Sequence, residues 1–291
     1  MIVGTSASIQ VAAAVAHDLF QRLGPTGTSA LRFTLGAGIL LTAVRPRLEG
    51  RDRRTWVAIA TYGTSLAALN VTFFEAIERL PMGIAVTFAF VAPLLMALAG
   101  SRRRRDMCFA LLAGAGVVLL GGISRPGSGV GVAFALTSGA AWASVAYSGR
   151  SVGQRTSSLD GLALSIPIAA LVTLPLGAAH LGAIDPRALG LGTVIAVGGL
   201  ILPFALELEG LRRLEPRIVA VIYSLDPAVA AVVGFVGLGQ SLTGPELLGM
   251  GAVIVASVGA ISGSALRSTD PACRDCNNRK GYGRDGTAFE L

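Results

Sequence analysis

The stretch FEAIERLPMGIAVTFAFVAPLLMALAG, from Phe74 to Gly100, indicates the architecture of the protein because a related stretch follows 134 positions further along the chain. The two copies align without a gap, and each begins with charged residues, continues as a long apolar run and contains a proline. Self-similarity at a fixed offset indicates an internal duplication. The identical pairs include Glu75 and Glu209, Arg79 and Arg213, Leu80 and Leu214, Ile84 and Ile218, Pro93 and Pro227, Ala97 and Ala231, and Gly100 and Gly234.

The composition around this repeat is that of a membrane protein. The 291 residues are 53% apolar and only 14% charged, and the mean hydropathy is +0.67. The charges are bunched between long uncharged runs. Runs of about 18 or more such residues are long enough to cross a bilayer as helices, and these runs lack the polar/apolar alternation of strands. We therefore expect an all-α membrane protein.

The apolar runs predict ten transmembrane helices arranged as two repeats of five. We place one five-helix repeat at residues 1–124, a second, inverted five-helix repeat at 129–266, and a disordered cytoplasmic tail at 267–291, which has no apolar face. Met1 leads directly into the first span, so no signal peptide is expected. The predicted spans are 2–20, 28–44, 55–75, 80–100, 107–123, 129–148, 160–179, 188–208, 216–238 and 244–266.

The distribution of basic residues predicts the orientation. With the N-terminus in the cytoplasm, inside segments hold 19 of the 24 Lys and Arg residues and outside segments hold 4, while Arg32 lies within a span. The run Arg102–Arg105 fits an anchor of this topology, with a nucleic-acid or anionic-lipid patch as the alternative; we expect no nucleic-acid partner. Both termini are then cytoplasmic. Because each half has an odd number of spans, the second half is inverted, a plan that places a substrate site near the membrane midplane between the halves.

Three charged residues inside the spans are the strongest candidates for residues of that site. A charge at the centre of a span costs about 2.5–3.5 kcal/mol, so it usually has a function. Asp226 is the deepest, and it is either a site for a proton or an ammonium group or the cap of a helix broken at Pro227. Glu207 is a second acidic candidate. Arg32 either binds a substrate carboxylate or extends to the outer surface.

Further polar and aromatic residues in the spans are candidates for the cavity wall, although any one of them is equally suited to helix packing. These are Gln10, His17, Asn70, Trp142, Tyr147 and Tyr223, together with the helix-breaking prolines Pro93 and Pro227. We expect no metal site and no cofactor. Cys273 and Cys276 form a CxxC without further ligands in the tail, and no nucleotide-binding motif is present.

Several stretches resemble the drug/metabolite transporter superfamily of the EamA type, and within it the threonine/homoserine exporters of bacterial inner membranes. The resemblance covers the chain from about Ser8 to Gly263. It implies a ten-helix secondary exporter that moves small amino acids or their analogues outward, with protons as the coupling ion. The stretches are Ser8–Gln10, Ala30–Arg32, Pro81–Val86, Ala141–Ala143, Leu202–Glu207, Asp226–Ala231 and Gly249–Gly259.

Two other functions remain open from the sequence. Exporters of this kind carry an acidic residue a few positions before the proline of the fourth span, where this chain has Ala89. An apolar residue there suits an exporter of apolar drugs or aromatic metabolites. A membrane enzyme or a scaffold without transport belongs to a different class, but no His, Cys or paired carboxylates cluster at one membrane depth.

Overall fold

The computed structural model describes residues 2–99, 104–121, 128–213 and 226–268. Helices make up nearly all of these ranges and no strand occurs within them, so the prediction of an all-α protein is confirmed. The helices are α1 (Ile2–Val44), α2 (Arg53–Arg79), α3 (Met82–Ala99), α4 (Arg104–Gly121), α5 (Ser128–Arg155), α6 (Ser158–Gly177), α7 (Pro186–Ala196), α8 (Leu202–Arg213), α9 (Asp226–Leu238) and α10 (Gly244–Ser268).

Five helical stretches in the described ranges are long and apolar enough to cross a membrane. Shorter apolar helices cover Met82–Val91, Asp226–Leu238 and Gly244–Ala256. The described helices therefore suit a protein that crosses the membrane several times. The five long stretches are Ser8–Val44, Arg53–Arg79, Gly129–Arg155, Leu159–His180 and Pro186–Glu207.

Helix α1 is two helices joined at Gly24. Gly24 has φ +62°, a backbone conformation that a glycine adopts without strain, and the Pro25 that follows has no N–H to bond backwards. Gln10 on the first segment and Arg32 on the second line the same cavity. In one straight helix they would be about 33 Å apart, so the chain must reverse at Gly24, between the first two predicted spans.

Residues 186–213 also form a helix with a local irregularity. Helix α7 begins after Asp185, which accepts a hydrogen bond from the Ala188 N–H at 2.6 Å, and it passes into a π-helical turn at Val197–Ile201 before α8. Such turns change the register of backbone bonds and often occur at functional sites. The carbonyls of Gly198 and Gly199 in this turn accept hydrogen bonds from Ser8 and Arg32 respectively.

The two prolines predicted to break helices lie in different settings. Helix α3 continues from Met82 to Ala99 through Pro93, so Pro93 does not end it. Membrane helices tolerate proline because neighbouring groups and local adjustments satisfy the freed carbonyl. Pro227 is the second residue of α9 and is buried. At that position its missing N–H leaves no helical bond unmade.

The most extensive helix contacts join the predicted first repeat to the predicted second. Helix α2 packs against α5, α1 against α6, and α4 against α10. At one such contact, a Cβ added to Gly139 of α5 would lie 2.1 Å from the carbonyl oxygen of Ala89 in α3, so only glycine permits this approach. Small residues are common where membrane helices pack this closely. The space between the repeats is thus walled by elements of both.

Candidate functional site

A cavity lies in the middle of the bundle, between α1, α2, α3, α5, α8 and α9. Its free space is about 90 Å³, enough for a few waters or a small solute. Asn70 stands nine positions before the end of α2 at Arg79 and Asp226 twelve before the end of α9 at Leu238, which places them about 14–18 Å from those ends. The polar wall consists of Gln10, Arg32, Asn70, Ser138, Glu207 and Asp226, and the aromatic wall of Phe33, Phe73, Phe74, Trp142 and Phe204.

Arg32 provides a buried positive charge. Its side chain is 5% exposed, so it points into the bundle and does not extend to the outer surface. Its Nη2 donates to the carbonyl oxygen of Gly199, and the centre of its guanidinium lies 5.7 Å from the centroid of the Phe74 ring. Its Nε, which also faces no solvent, has no hydrogen-bond partner among the described residues. A guanidinium held in this way retains donors for a carboxylate.

The π-helical turn fixes the position of that guanidinium. A Cβ added to Gly199 would lie 2.4 Å from the Cβ of Ala12, so the turn contacts the first segment of α1 directly. Only a glycine allows the Gly199 carbonyl to approach both segments of α1. Among the described residues, a backbone carbonyl positions Arg32, and no carboxylate lies within ion-pair distance of it.

Three neutral polar side chains complete the wall around Arg32. Gln10, Asn70 and Ser138 are 3%, 8% and 0% exposed, and Gln10 Oε1, Asn70 Oδ1 and Ser138 Oγ have no hydrogen-bond partner in the described part of the chain. A buried polar atom left unsatisfied costs about 1–3 kcal/mol. Three of them around one cavity indicate that a polar guest, water or solute, satisfies them.

The two acidic candidates lie on the same cavity. Asp226 is 6% exposed and Glu207 is 8% exposed. Asp226 is the first residue of α9, where the exposed N–H groups of a helix favour a negative charge. It therefore occupies the helix start and the cavity wall at once. Glu207 lies close enough to the buried hydroxyl of Tyr62 for the two groups to interact electrostatically.

Aromatic rings shape the rest of the cavity. Trp142 packs edge-on against Phe90, with ring centroids 4.9 Å apart and planes at 84°. Phe74 packs against Phe20 at 5.2 Å, and Phe20 packs against His17 at 5.3 Å. These contacts belong to a buried apolar cluster formed by the first segment of α1, the end of α2 and the start of α3. His17 thus lies behind this layer and does not line the cavity.

Six of the predicted site residues come together around the cavity. Gln10, Arg32, Asn70, Trp142, Glu207 and Asp226 share the cavity. Tyr147 is 83% exposed and lies in a separate cleft beside Arg53 and Arg54. Pro93 lies within α3, and Pro227 adjoins the lining residue Asp226. Tyr223 falls outside the described residues, as do Cys273 and Cys276.

Ser138 and Phe74 are site residues that the sequence analysis missed. Each stands four positions from a residue that was identified, Ser138 before Trp142 and Phe74 after Asn70. Side chains four apart lie on one face of a helix. The spacing of four residues from Trp142 and from Asn70 is therefore the sequence signal that could have identified Ser138 and Phe74.

In chemical terms, the cavity suits a small zwitterion. It combines one guanidinium, which matches a carboxylate, with two acidic groups, which match an ammonium group. The amide and hydroxyl groups of Gln10, Asn70 and Ser138 can bond a third polar group. The free space limits the guest to a small molecule.

Comparison with known proteins identifies the family. Residues 129–262 match the EamA-like transporter family. The threonine/homoserine exporter RhtA of Escherichia coli K12 is 37% identical over 259 residues, which are 87% of this chain and 88% of that protein. RhtA of Salmonella typhimurium LT2 is 36% identical over 260 residues, 87% of each chain. The chain belongs to the EamA-like transporter family.

This EamA-like protein is a multi-pass membrane transporter and not an enzyme. One solved protein structure superposes on it with a TM-score of 0.62 and 20% identity, over 91% of this chain and 97% of the other. At that identity the superposition shows a shared fold. Membership of the family and the apolar helices together confirm the predictions of a membrane transporter.

Proposed function

We propose that this EamA-like transporter exports small amino acids of the threonine and homoserine type across the inner membrane, in exchange for protons. The observation that carries the proposal is the burial of Arg32, Glu207 and Asp226 around one small cavity. Arg32 binds the substrate carboxylate, and the acidic pair binds the ammonium group. The RhtA relatives, named as threonine/homoserine exporters, support this choice of substrate.

The side chain of such a substrate also has partners in the cavity. Gln10 Oε1, Asn70 Oδ1 and Ser138 Oγ lack protein partners among the described residues. A hydroxyl bonded there gains little over water, but an analogue without the hydroxyl leaves these groups unpaired. The cavity therefore favours threonine over valine, which has the same shape without the hydroxyl.

The substrate is tested by efflux from proteoliposomes that contain the purified full chain. Vesicles are loaded with labelled threonine, homoserine, valine or phenylalanine, and a pH gradient is imposed. We expect efflux of threonine and homoserine, with valine slower by about tenfold or more. Rapid efflux of phenylalanine and none of threonine would instead support the alternative of an exporter of aromatic metabolites, which Ala89 and the aromatic wall favour.

Proton coupling is proposed to run through Asp226, with Glu207 as the second candidate. A carboxyl on the cavity wall that releases a proton when substrate binds, and takes one up when substrate leaves, couples the two fluxes as the repeats rock about the site. Asp226→Asn keeps the size and a side-chain oxygen at the start of α9 but cannot titrate. It therefore separates the coupling role from the helix-start role.

We expect the Asp226→Asn variant to insert normally and to lose efflux driven by a pH gradient. Exchange of external for internal labelled threonine, which needs no net proton movement, provides the second measurement. Glu207→Gln is the matched comparison, because it neutralises the other acidic wall residue. If Asp226→Asn keeps the pH dependence of the wild type and Glu207→Gln loses it, Glu207 is the coupling group.

A further inference from the structure

A second cleft lies apart from the transport cavity, between the start of α2 and the end of α5. Its volume is about 400 Å³. None of its lining residues borders the transport cavity. We call it the basic cleft, and its wall consists of Arg53, Arg54, Val57, Ala58, Thr61, Tyr147, Ser148, Ser151 and Arg155.

The basic cleft carries an excess of positive charge. Asp52 is the acidic group beside it, and its Oδ2 lies 3.7 Å from Arg155 Nη1. The other carboxylate oxygen of Asp52 accepts hydrogen bonds from the Thr55 N–H, at 3.0 Å, and from the Thr55 hydroxyl at the start of α2. In the described ranges neither Arg53 nor Arg54 is within ion-pair distance of a carboxylate. One acidic residue therefore faces three guanidinium groups.

The neighbouring surface is apolar and aromatic, unlike that of a site for a soluble anion. Val57 is 57% exposed and Tyr147 is 83% exposed, and both belong to stretches apolar enough to span a membrane. On such helices, exposed apolar side chains face acyl chains. Trp56, 36% exposed on the same turn of α2 as Val57, fits the preference of tryptophan and tyrosine for the headgroup level. Charge and apolar surface thus meet at one membrane boundary.

We propose that the basic cleft binds an anionic phospholipid. The headgroup phosphate sits among Arg53, Arg54 and Arg155, while Tyr147 and Val57 contact the glycerol region and the upper acyl chains. Basic pockets between membrane helices bind anionic headgroups by this combination. The proposal does not depend on which solute is transported.

Lipid in this cleft has a consequence for the transport cavity. Helix α2 carries Asn70 and Phe74, and α5 carries Ser138 and Trp142, all of which line that cavity. A phosphate held by arginines from both helices stabilises their packing at one end. We therefore expect the lipid to stabilise the folded transporter, since a ligand that binds the folded state raises its stability by mass action.

The test measures thermal unfolding of the full chain in detergent micelles with added phosphatidylglycerol, phosphatidylcholine or inorganic phosphate. Phosphatidylglycerol should raise the melting temperature of the wild type, and the other two additives should not. Arg53→Gln/Arg54→Gln should lose most of this rise. Arg47→Gln/Arg150→Gln is the matched control, because it removes two exposed arginines of the adjoining loop and of α5 that do not line the cleft.

Lipid retained by the protein gives an independent readout if the double variant unfolds too readily. Native mass spectrometry of the wild type, the single variant Arg53→Gln and the control should show phosphatidylglycerol binding that is at least about fivefold weaker only in Arg53→Gln. An equal loss in the control, or no lipid-induced stabilisation of the wild type, overturns the proposal. Stabilisation by inorganic phosphate alone overturns it as well, because the ligand is then a soluble anion.

Discussion

At the scale of single residues, we propose that Arg32 determines what the cavity can bind. It lies next to a backbone carbonyl and an aromatic ring, and among the described lining residues it is the one cation. A buried guanidinium is costly unless it is paired or hydrogen-bonded. In the proposed function, a substrate carboxylate supplies that pairing only while it is bound. Arg32 therefore links the stability of the loaded state to the chemistry of the substrate.

Replacing Arg32 should weaken substrate binding strongly. Removing one partner of a buried charge pair costs at least about 2 kcal/mol, which is about 25-fold in affinity. We expect Arg32→Gln to raise the threonine concentration for half-maximal efflux by that factor or more. Arg32→Lys should recover only part of it, because an ammonium cannot bond Gly199 and a carboxylate in the same fork geometry. The dependence of efflux on threonine concentration provides the measurement.

The matched control for Arg32 is Arg22→Gln. Arg22 is exposed and pairs with Asp185 at 2.5 Å, away from the cavity. Its removal should leave the concentration dependence of efflux unchanged. Unaltered threonine affinity in Arg32→Gln would mean that the carboxylate binds elsewhere.

Asp185 gives a prediction about pH. The backbone N–H of Ala188 and the Arg22 guanidinium hold the pKa of this carboxyl below its ordinary value of 3.8. A lowered pKa in the folded state adds stability that is present above pH 3.8 and lost as the pH falls through the lowered pKa. The melting temperature of Asp185→Asn should lie below that of the wild type by a constant amount between about pH 5 and 8.

That difference should shrink below pH 3.8, where the wild-type carboxyl takes up its proton. Thermal unfolding in detergent across this pH range measures both variants. A difference that already changes between about pH 5 and 8 would show that another titrating group carries the stability.

At the scale of elements, the sequence predicts helices well and their irregularities poorly. Apolar runs such as 55–75 and 188–208 lie within helical residues 53–79 and 186–213, because length and hydropathy alone determine a membrane helix. The π-helical turn at Val197–Ile201 has no comparable signal. Gly198 and Gly199 are ordinary in a membrane helix, and only the packing of Ala12 on Gly199 reveals why the turn is there.

The candidate site could likewise be predicted from the sequence only in part. Charged residues inside spans are rare, so Arg32, Glu207 and Asp226 were predictable from the cost of burying a charge. Tyr147 had the same sequence context as Trp142 but points away from the bundle, 83% exposed. Which face of α5 is buried depends on α2 and α3, and those contacts are not written in α5 itself.

Two adjacent glycines test the role of the π-helical turn. A Cβ at Gly199 would meet Ala12 at 2.4 Å, whereas a Cβ at Gly198 would have the Ser8 hydroxyl at 4.0 Å as its nearest neighbour. Gly199→Ala should destabilise the protein by about 1–3 kcal/mol through overpacking and should reduce threonine efflux by displacing Arg32. Gly198→Ala should change neither. Melting temperature and efflux are measured together, and equal effects in the two variants would contradict a special role for Gly199.

At the scale of the whole molecule, the helix contacts support the proposed inverted repeat. In the proposed repeat, each span of the first half corresponds to the span five positions later. The third span, α2, then corresponds to the eighth, the α7–α8 segment, and the sixth span, α5, corresponds to the first, in α1. The contact of α2 with α5 therefore has its counterpart in the contact of α1 with the α7–α8 segment. The contact of α3 with α5 corresponds likewise to that of α1 with α9. The contacts of α3 with α9 and of α4 with α10 each join two corresponding helices, so each of these contacts is its own counterpart. The two-fold axis of the proposed inverted repeat would produce this pairing.

The ion pairs between loops are consistent with the proposed orientation. Arg51 lies 3.8 Å from Asp160 and Arg155 lies 3.7 Å from Asp52, so the α1–α2 and α5–α6 connections share one end of the bundle. The ion pair of Arg22 with Asp185 joins two other connections, the turn at Gly24 and the segment before α7. The arginine count assigns the first two connections to the cytoplasm and the second two to the periplasm.

Reporter fusions test this orientation directly. A reporter fused after Arg125 should report a periplasmic location, and a reporter fused after Arg267 should report a cytoplasmic one. This orientation places 19 of the 24 basic residues inside. A fusion after Glu49, between α1 and α2, is the control for the first half and should also report cytoplasm. The opposite result at all three positions would invert the protein and move the basic cleft to the outer leaflet. Agreement at Glu49 with cytoplasmic activity at Arg125 would instead mean that the first half has an even number of spans, which is incompatible with an inverted repeat.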